Sequence, residues 1–167
     1  FTGRDMPSVC TPLFTQLMDA GLIGQEDVWR RFRLALEAGN LNVARVVANA
    51  LTEAQRPDAA LLDQASRDPA RVLNAGTLDL ARRGDREIAL YALDQLARRD
   101  SSQAEQALRK WAPQLNPLEL RTAWGRLATW AARRHEPVAL DWFQQAGELA
   151  LSDFQREWWV RAALRAG

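Results

Sequence analysis

The sequence is poor in the residues that most often carry chemistry. It has one histidine, His135, one cysteine, Cys10, and a single lysine, Lys110, among 22 basic residues. One cysteine makes no internal disulfide and leaves the redox compartment open. Cys10 precedes a helix and has no histidine near it in sequence, so it reads as a buried thiol or half of a bridge to a segment outside the chain, not as a nucleophile. A lone imidazole beside Arg133 and Arg134 supplies neither a metal cluster nor a triad, and reads as a solvated helix cap. There is no glycine-rich phosphate loop, no apolar run long enough to cross a bilayer, no convincing strand alternation and no Asn-Gly hairpin turn. Phe1-Thr2-Gly3-Arg4-Asp5 is neither an initiator sequence nor a signal peptide, so the chain reads as an excised or processed piece. A net charge of +1 gives no field to gather nucleic acid or an anionic membrane.

What is present is helix. The 167 residues are 47% hydrophobic and 26% charged, enough for one sizeable core or a short stack of repeats. Leu78 to Asp100 sets the pattern. Gly84 is expected to end one helix in a left-handed C′ conformation, and Asp85 to cap the next. Ile88, Ala92 and Leu96 then form a row flanked by Ala89, Leu93 and Ala97, a stripe that a neighbouring helix must cover. One hairpin cannot bury such a stripe alone; stacked copies can.

The rest of the chain follows the same punctuation. After an irregular lead-in over residues 1–10, helices are expected from Thr11-Pro12 to Ala20-Gly21 and from Gln25 to Ala38, the latter with Val28, Trp29, Phe32 and Leu36 inward. Further helices are expected over Leu41 to Thr52, Pro57 to Ser66, Pro69 to Arg83 loosened at Gly76, Asp85 to Arg99, and from an Asp100-Ser101-Ser102 cap to Ala112. Asn116-Pro117 opens a helix to Arg134, with Leu120, Trp124, Leu127, Ala128 and Ala131 on one face and Gly125 admitting a close neighbour. Pro137 opens another bearing Ala139, Trp142, Phe143, Ala146 and Ala150, and Ser152 caps the last, with Phe154, Trp158, Trp159, Ala162 and Ala163. The fold expected is all-α, an α-superhelix or α-solenoid of about ten antiparallel helices in hairpins, forming a single domain over residues 11–167. Similar helix ends recur at Leu36 to Gly39, Leu80 to Gly84, Leu96 to Asp100, Ala131 to His135 and Ala163 to Gly167. Their spacing is too uneven for tetratricopeptide repeats.

Candidate chemistry is sparse. Glu26, Glu87, Glu119 and Glu157 are read as first-turn residues whose carboxylates the helix dipole explains. The pairs Arg30-Arg31, Arg82-Arg83, Arg98-Arg99 and Arg133-Arg134 would form basic patches if the fold aligned them, but three of the four are read as last-turn cations offsetting free carbonyls. Of the seven tryptophans, Trp124, Trp142 and Trp158 fall in apolar stripes and are read as core. Trp29, Trp111, Trp130 and Trp159 lie on stripe flanks or near helix ends, where partial exposure would let them contact glycan or a partner.

The order of these features resembles a known family. Met6-Pro7-Ser8-Val9-Cys10, Leu13-Phe14, Ala20-Gly21, Val28 to Asn40 (VWRRFRLALEAGN) and the valine-rich helix after it are similar to the superhelical region of periplasmic soluble lytic murein transglycosylases. So are Asp68 to Gly76 (DPARVLNAG), Leu120 to Arg134 and Arg156 to Gly167. The resemblance covers nearly the whole chain and rests on helix-packing patterns. It implies an arc of helices beside a separate lysozyme-like domain. In the family that domain cleaves the β-1,4 bond between N-acetylmuramic acid and N-acetylglucosamine without water, giving a 1,6-anhydro product, with one glutamate as acid and then base. The family glutamate is followed by serine, and no Glu here is followed by Ser. The resemblance therefore implies a scaffold that positions substrate, with no catalytic residue, cofactor or metal of its own. It further implies periplasmic localisation, and partners comprising peptidoglycan glycan strands, the catalytic domain of the full-length protein and other cell-wall proteins, with no nucleic acid and no membrane span. Cys10 matches a cysteine of the family's LPxC-like segment, whose expected partner would lie upstream. The alternative from another class is a stand-alone helical-repeat module for protein–protein interaction.

Overall fold

The computed structural model describes residues 10–167; the expected lead-in lies outside the described residues except for Cys10, at which the first helix already opens. Ten α-helices follow: α1 (Cys10–Asp19), α2 (Gln25–Glu37), α3 (Leu41–Ala48), α4 (Ala59–Arg67), α5 (Pro69–Asn74), α6 (Arg83–Arg99), α7 (Ser101–Trp111), α8 (Pro117–Arg133), α9 (Ala139–Ala146) and α10 (Asp153–Ala166). Short 3-10 turns occupy Ala112–Gln114 and Glu148–Ala150. Among the described residues there is no strand, and the architecture is the all-α superhelical one expected.

Local chemistry starts most of these helices. Side chains of Asn40, Asp58, Asp68, Asp100 and Asn116 accept hydrogen bonds from the backbone N–H three residues on, at 3.1, 2.8, 3.1, 2.9 and 2.9 Å. Each cap satisfies a donor that the helix leaves free, worth about 1 kcal/mol. At α8 the cap is reciprocal, because the Asn116 N–H donates to Glu119 Oε2 at 3.0 Å; Ser152 and Gln155 form the same box at α10. Pro69 and Pro117 occupy N1, where a missing N–H costs nothing.

Several boundaries differ from expectation. α5 stops at Asn74 because Gly76 adopts φ +67°, and residues 75–82 cross to α6 without helix. Gly84 is therefore not a C′ residue. It lies inside α6, packed on the backbone of residues 55–57, where an added Cβ would sit 2.5 Å from the Gln55 carbonyl oxygen. Asp85 is likewise not an N-cap: it is buried, and its carboxylate accepts from the Asp79 N–H across the turn at 2.9 Å. α3 ends at Ala48 instead of Thr52, its tail tightening into Ala50 N–Val47 O and Leu51 N–Ala48 O bonds, while the Arg56 guanidinium takes the Asn49 and Leu51 carbonyls at 3.2 Å each. α4 opens after the Asp58 cap, and α9 runs only from Ala139 to Ala146, where Gly147 turns left-handed.

Packing runs in series. α2 pairs with α3, α4 and α5 lie on α6, α6 meets α7 and α8, and α8 carries α9 and α10. The α6 stripe of Ile88, Ala92 and Leu96, with Ala89, Leu93 and Ala97, is buried; each fully buried leucine-sized side chain contributes about 1.5–3 kcal/mol. Gly125 gives the close approach expected of it, since a Cβ there would lie 2.7 Å from Leu151 Cδ2.

Candidate ligand groove

The four tryptophans expected at the surface divide. Trp29 is 0% exposed and Trp111 6%, which corrects the expectation that they reach solvent and agrees with the inward place of Trp29 in the α2 stripe. Trp29 is covered because α2 turns it edge-on to Phe32 at 5.7 Å and the Arg83 guanidinium lies 4.7 Å from its ring. Trp111 closes the last turn of α7 within the core. Trp130 and Trp159 are half-buried. The Trp130 indole N–H donates to Asp94 Oδ1 at 2.9 Å, and the Arg98 and Arg133 guanidiniums lie 4.7 and 4.6 Å from its ring. Trp159 stacks on Phe143 at 5.8 Å. Of the three expected in the core, Trp124 and Trp142 are buried, with centroids 6.0 Å apart, whereas Trp158 is half-buried.

Between α2, α6 and α8 lies a cleft of about 380 Å³, lined by Glu26, Arg33, Glu37, Arg83, Arg86, Glu87, Glu119 and Arg126 together with Leu90, Asn116, Leu118 and Thr122. A second hollow of about 320 Å³ shares Glu37, Thr122 and Arg126 with the first and ends at Trp130, Phe154 and Gln155. The two form one groove along the face where α2 looks across to α8. The first cleft has four carboxylates and four guanidiniums in its wall, so its net charge is zero although its local field is strong.

The ion pairs are of two kinds. Glu87 and Glu119 are buried carboxylates, with side chains 2% and 8% exposed. Arg33 holds both oxygens of Glu87, its Nε at 2.9 Å from each, and Arg83 Nε stands 3.8 Å away. Arg86 Nε donates to Glu119 at 3.0 Å while its Nη1 ties down the Leu80 and Ala81 carbonyls. In the other kind the guanidinium is the buried partner. Arg83 (20% exposed) reaches Glu26 (78%) and Arg126 (12%) reaches Glu37 (52%), with Nη2–oxygen distances of 2.8 Å in both. The Arg83 hydrogen bond holds the Glu26 carboxyl below its ordinary value against the opposing effect of burial, with the charges of Arg83 and Arg33 adding less. The Glu87 hydrogen bond raises Arg33 above the usual guanidinium range. Losing one member of a buried pair costs about 3–5 kcal/mol, whereas exposed pairs are worth about 0–1 kcal/mol.

Sequence reasoning placed all four glutamates in first turns. That holds for Glu26 and Glu119, but Glu87 and Glu157 lie beyond the first turn, and Glu87 is explained by ion pairing, not by the dipole. Arg82 and Arg83 are at the start of α6, not in a last turn. Their charges are offset by Asp85, Glu26 and Glu87. Arg98 and Arg133 do lie in last turns. His135 is exposed with φ +64° at the end of α8. Among the described residues no three His, Cys, Asp or Glu side chains converge on a metal-sized site, and no helix is long and apolar enough to cross a membrane. The groove itself escaped the sequence because its partners are 54, 57 and 89 residues apart for Arg33–Glu87, Arg83–Glu26 and Arg126–Glu37.

Serial helical hairpins around a charged groove define the class: an α-superhelical array. No family model and no curated protein matches the chain. Among solved structures it is similar to lytic transglycosylase Slt from Pseudomonas aeruginosa, determined by X-ray crystallography as an inactive mutant, with 25% identity, a TM-score of 0.71, and coverage of 99% of this chain and 27% of that one. The chain is thus a lytic-transglycosylase-like relative that spans about a quarter of the length of the protein it matches.

Proposed function

We propose that the chain is the superhelical, non-catalytic region of a periplasmic lytic transglycosylase. It holds peptidoglycan strands for a lysozyme-like catalytic domain carried elsewhere in the full-length protein, which cleaves the N-acetylmuramic acid–N-acetylglucosamine bond to a 1,6-anhydro product. Cell-wall proteins are further partners. The observation that carries this reading is the agreement of sequence and fold with a lytic transglycosylase over 99% of the chain. The groove supports it: a curved array offers long contact without a deep pocket. Trp159 is the proposed aromatic contact to the glycan, and Trp130, at the groove end, a contact to the rest of the strand or to a partner.

Sedimentation of the chain with insoluble murein tests this. Retention on murein without release of anhydro-muropeptides is expected; failure to co-sediment sinks the proposal. A second reading, a stand-alone interaction module, draws on the apolar surface of α10, where Phe154, Val160 and Leu164 are 53%, 58% and 79% exposed. It predicts no murein retention and capture of a protein partner instead.

A further inference from the structure

We propose that the α2–α6–α8 groove receives the peptide of the polymer and not its sugar, with Arg83 and Arg126 each taking one carboxylate from a short peptide that carries at least two. This rests on the peptidoglycan reading above and names which part of that substrate the groove contacts.

The ion pairs differ in which member faces water. Glu87 and Glu119 are buried and held by several donors, so they belong to the wall. At Arg83 and Arg126 the order is reversed: the guanidiniums are largely enclosed and their carboxylates, Glu26 and Glu37, project into solvent at 78% and 52% exposure. A guanidinium fixed by the fold keeps its donors aimed at the groove whichever carboxylate occupies them, and an incoming carboxylate replaces the solvated one with like for like. Glu26 and Glu37 thus act as built-in competitors that occupy the two arginines when no ligand is present. Arg126 lines both halves of the groove, so a bound peptide can extend from the charged cleft toward Phe154.

The wall is less suited to neutral sugar. A sugar ring stacks on an open aromatic face, but the Trp130 ring already has the Arg98 and Arg133 guanidiniums within 4.7 and 4.6 Å. Most of the polar lining of the first cleft is charged, with Asn116 and Thr122 its neutral polar members.

The probe is the tripeptide L-alanyl-γ-D-glutamyl-meso-diaminopimelate, titrated into the chain by calorimetry, beside the same peptide with its carboxylates amidated. The free acid is expected to bind at least about tenfold tighter than the amide, with an affinity that falls as salt rises. Arg126→Gln is expected to weaken binding about tenfold. Because that variant removes a largely buried group and could disturb folding, Glu37→Gln and Glu26→Gln provide the decisive comparison: each deletes a competitor, leaves the arginine in place, and is expected to tighten binding about two- to fivefold. Equal affinity for acid and amide, or weaker binding by Glu37→Gln, overturns the inference. Sedimentation separates its failure from that of the parent reading. Equal retention on intact murein and on murein stripped of peptide sinks this inference alone, whereas no retention on intact murein sinks the reading beneath it.

Discussion

The two ends of the array are joined to its centre by different forces. α8 and α9 are locked by shape, with Leu151 against Gly125 and Trp124 against Trp142, and the more exposed α10 lays Trp159 on Phe143. α2 and α3 also contribute Val28, Trp29, Phe32 and Leu36 to the continuous core, but their outward reach to α4, α6 and α8 is made by arginine: Arg33 to Glu87, Arg83 to Glu26, Arg126 to Glu37 and Arg45 to Asp63. The first joint is dry, short-ranged and intolerant of volume change. The second borders a wet groove, spans it with long side chains and responds to salt and substitution of charge. A binding face can be built on the second kind of joint without opening the first.

This contrast can be broken at either side. The largest effect is expected from Trp142→Ala, which removes a 3% exposed ring packed at a tilt against Trp124 and should cost about 3–5 kcal/mol in urea unfolding. A loss under about 1 kcal/mol would show that the C-terminal joint is not a packed one. Next comes Gly84→Ala at about 1–3 kcal/mol, because the new methyl meets rigid backbone at 2.5 Å, whereas Gly125→Ala should cost less, since its nearest obstacle is the movable end of Leu151. A reversed order between the two glycines would contradict the geometry.

On the arginine side, Glu87→Gln is expected to cost about 1–3 kcal/mol by weakening a buried charged hydrogen bond, and Glu37→Gln at most about 1 kcal/mol. Raising salt to about 1 M should narrow the effect of Glu37→Gln and leave that of Trp142→Ala unchanged, which differential scanning calorimetry can resolve.

The smallest effect is acid-linked. Asp100 is held below the ordinary carboxylate value first by the backbone N–H of Gln103 and then by its side chain, and Glu26 first by Arg83. A depressed folded value means that the contribution is fully present above the unfolded value of about 4. It is lost as pH falls from there through the folded value. The melting temperature should therefore change little on account of these two groups between about pH 5 and 8 and decline below about pH 4, by less in Asp100→Asn than in the parent chain.

Features written within four residues were legible: the Asp100 and Ser152 caps, the helix start at Asn116-Pro117, and the α6 and α8 stripes. The Gly125 contact was legible too, because a glycine in the middle of an apolar helix face has few other uses. Gly84 was misread because glycine answers two needs, a left-handed backbone and close approach, and only the path of residues 55–57 decides between them. Helical phase gives Trp29 two places, inward in the α2 stripe and on its flank; the first holds because Phe32 and the Arg83 guanidinium of α6 cover its ring, and Trp111 is enclosed at the end of α7, contacts that periodicity in a single helix does not encode. The groove was illegible for the same reason, as the pairs that frame it, Arg33–Glu87, Arg83–Glu26, Arg126–Glu37 and Arg86–Glu119, join helices far apart in sequence.

α10 has a single buried residue, Ala162, whereas α6 is enclosed almost all round. Amide hydrogens of Asp153–Ala166 should consequently exchange with deuterium through local fraying, at a free energy well below that of global unfolding, while those of the α6 centre wait for the whole chain to open. Such an order gives the array a direction of unravelling, from the outermost layer inward, and lets its C-terminal surface adapt to a neighbour while the helix beneath the arginine groove stays fixed.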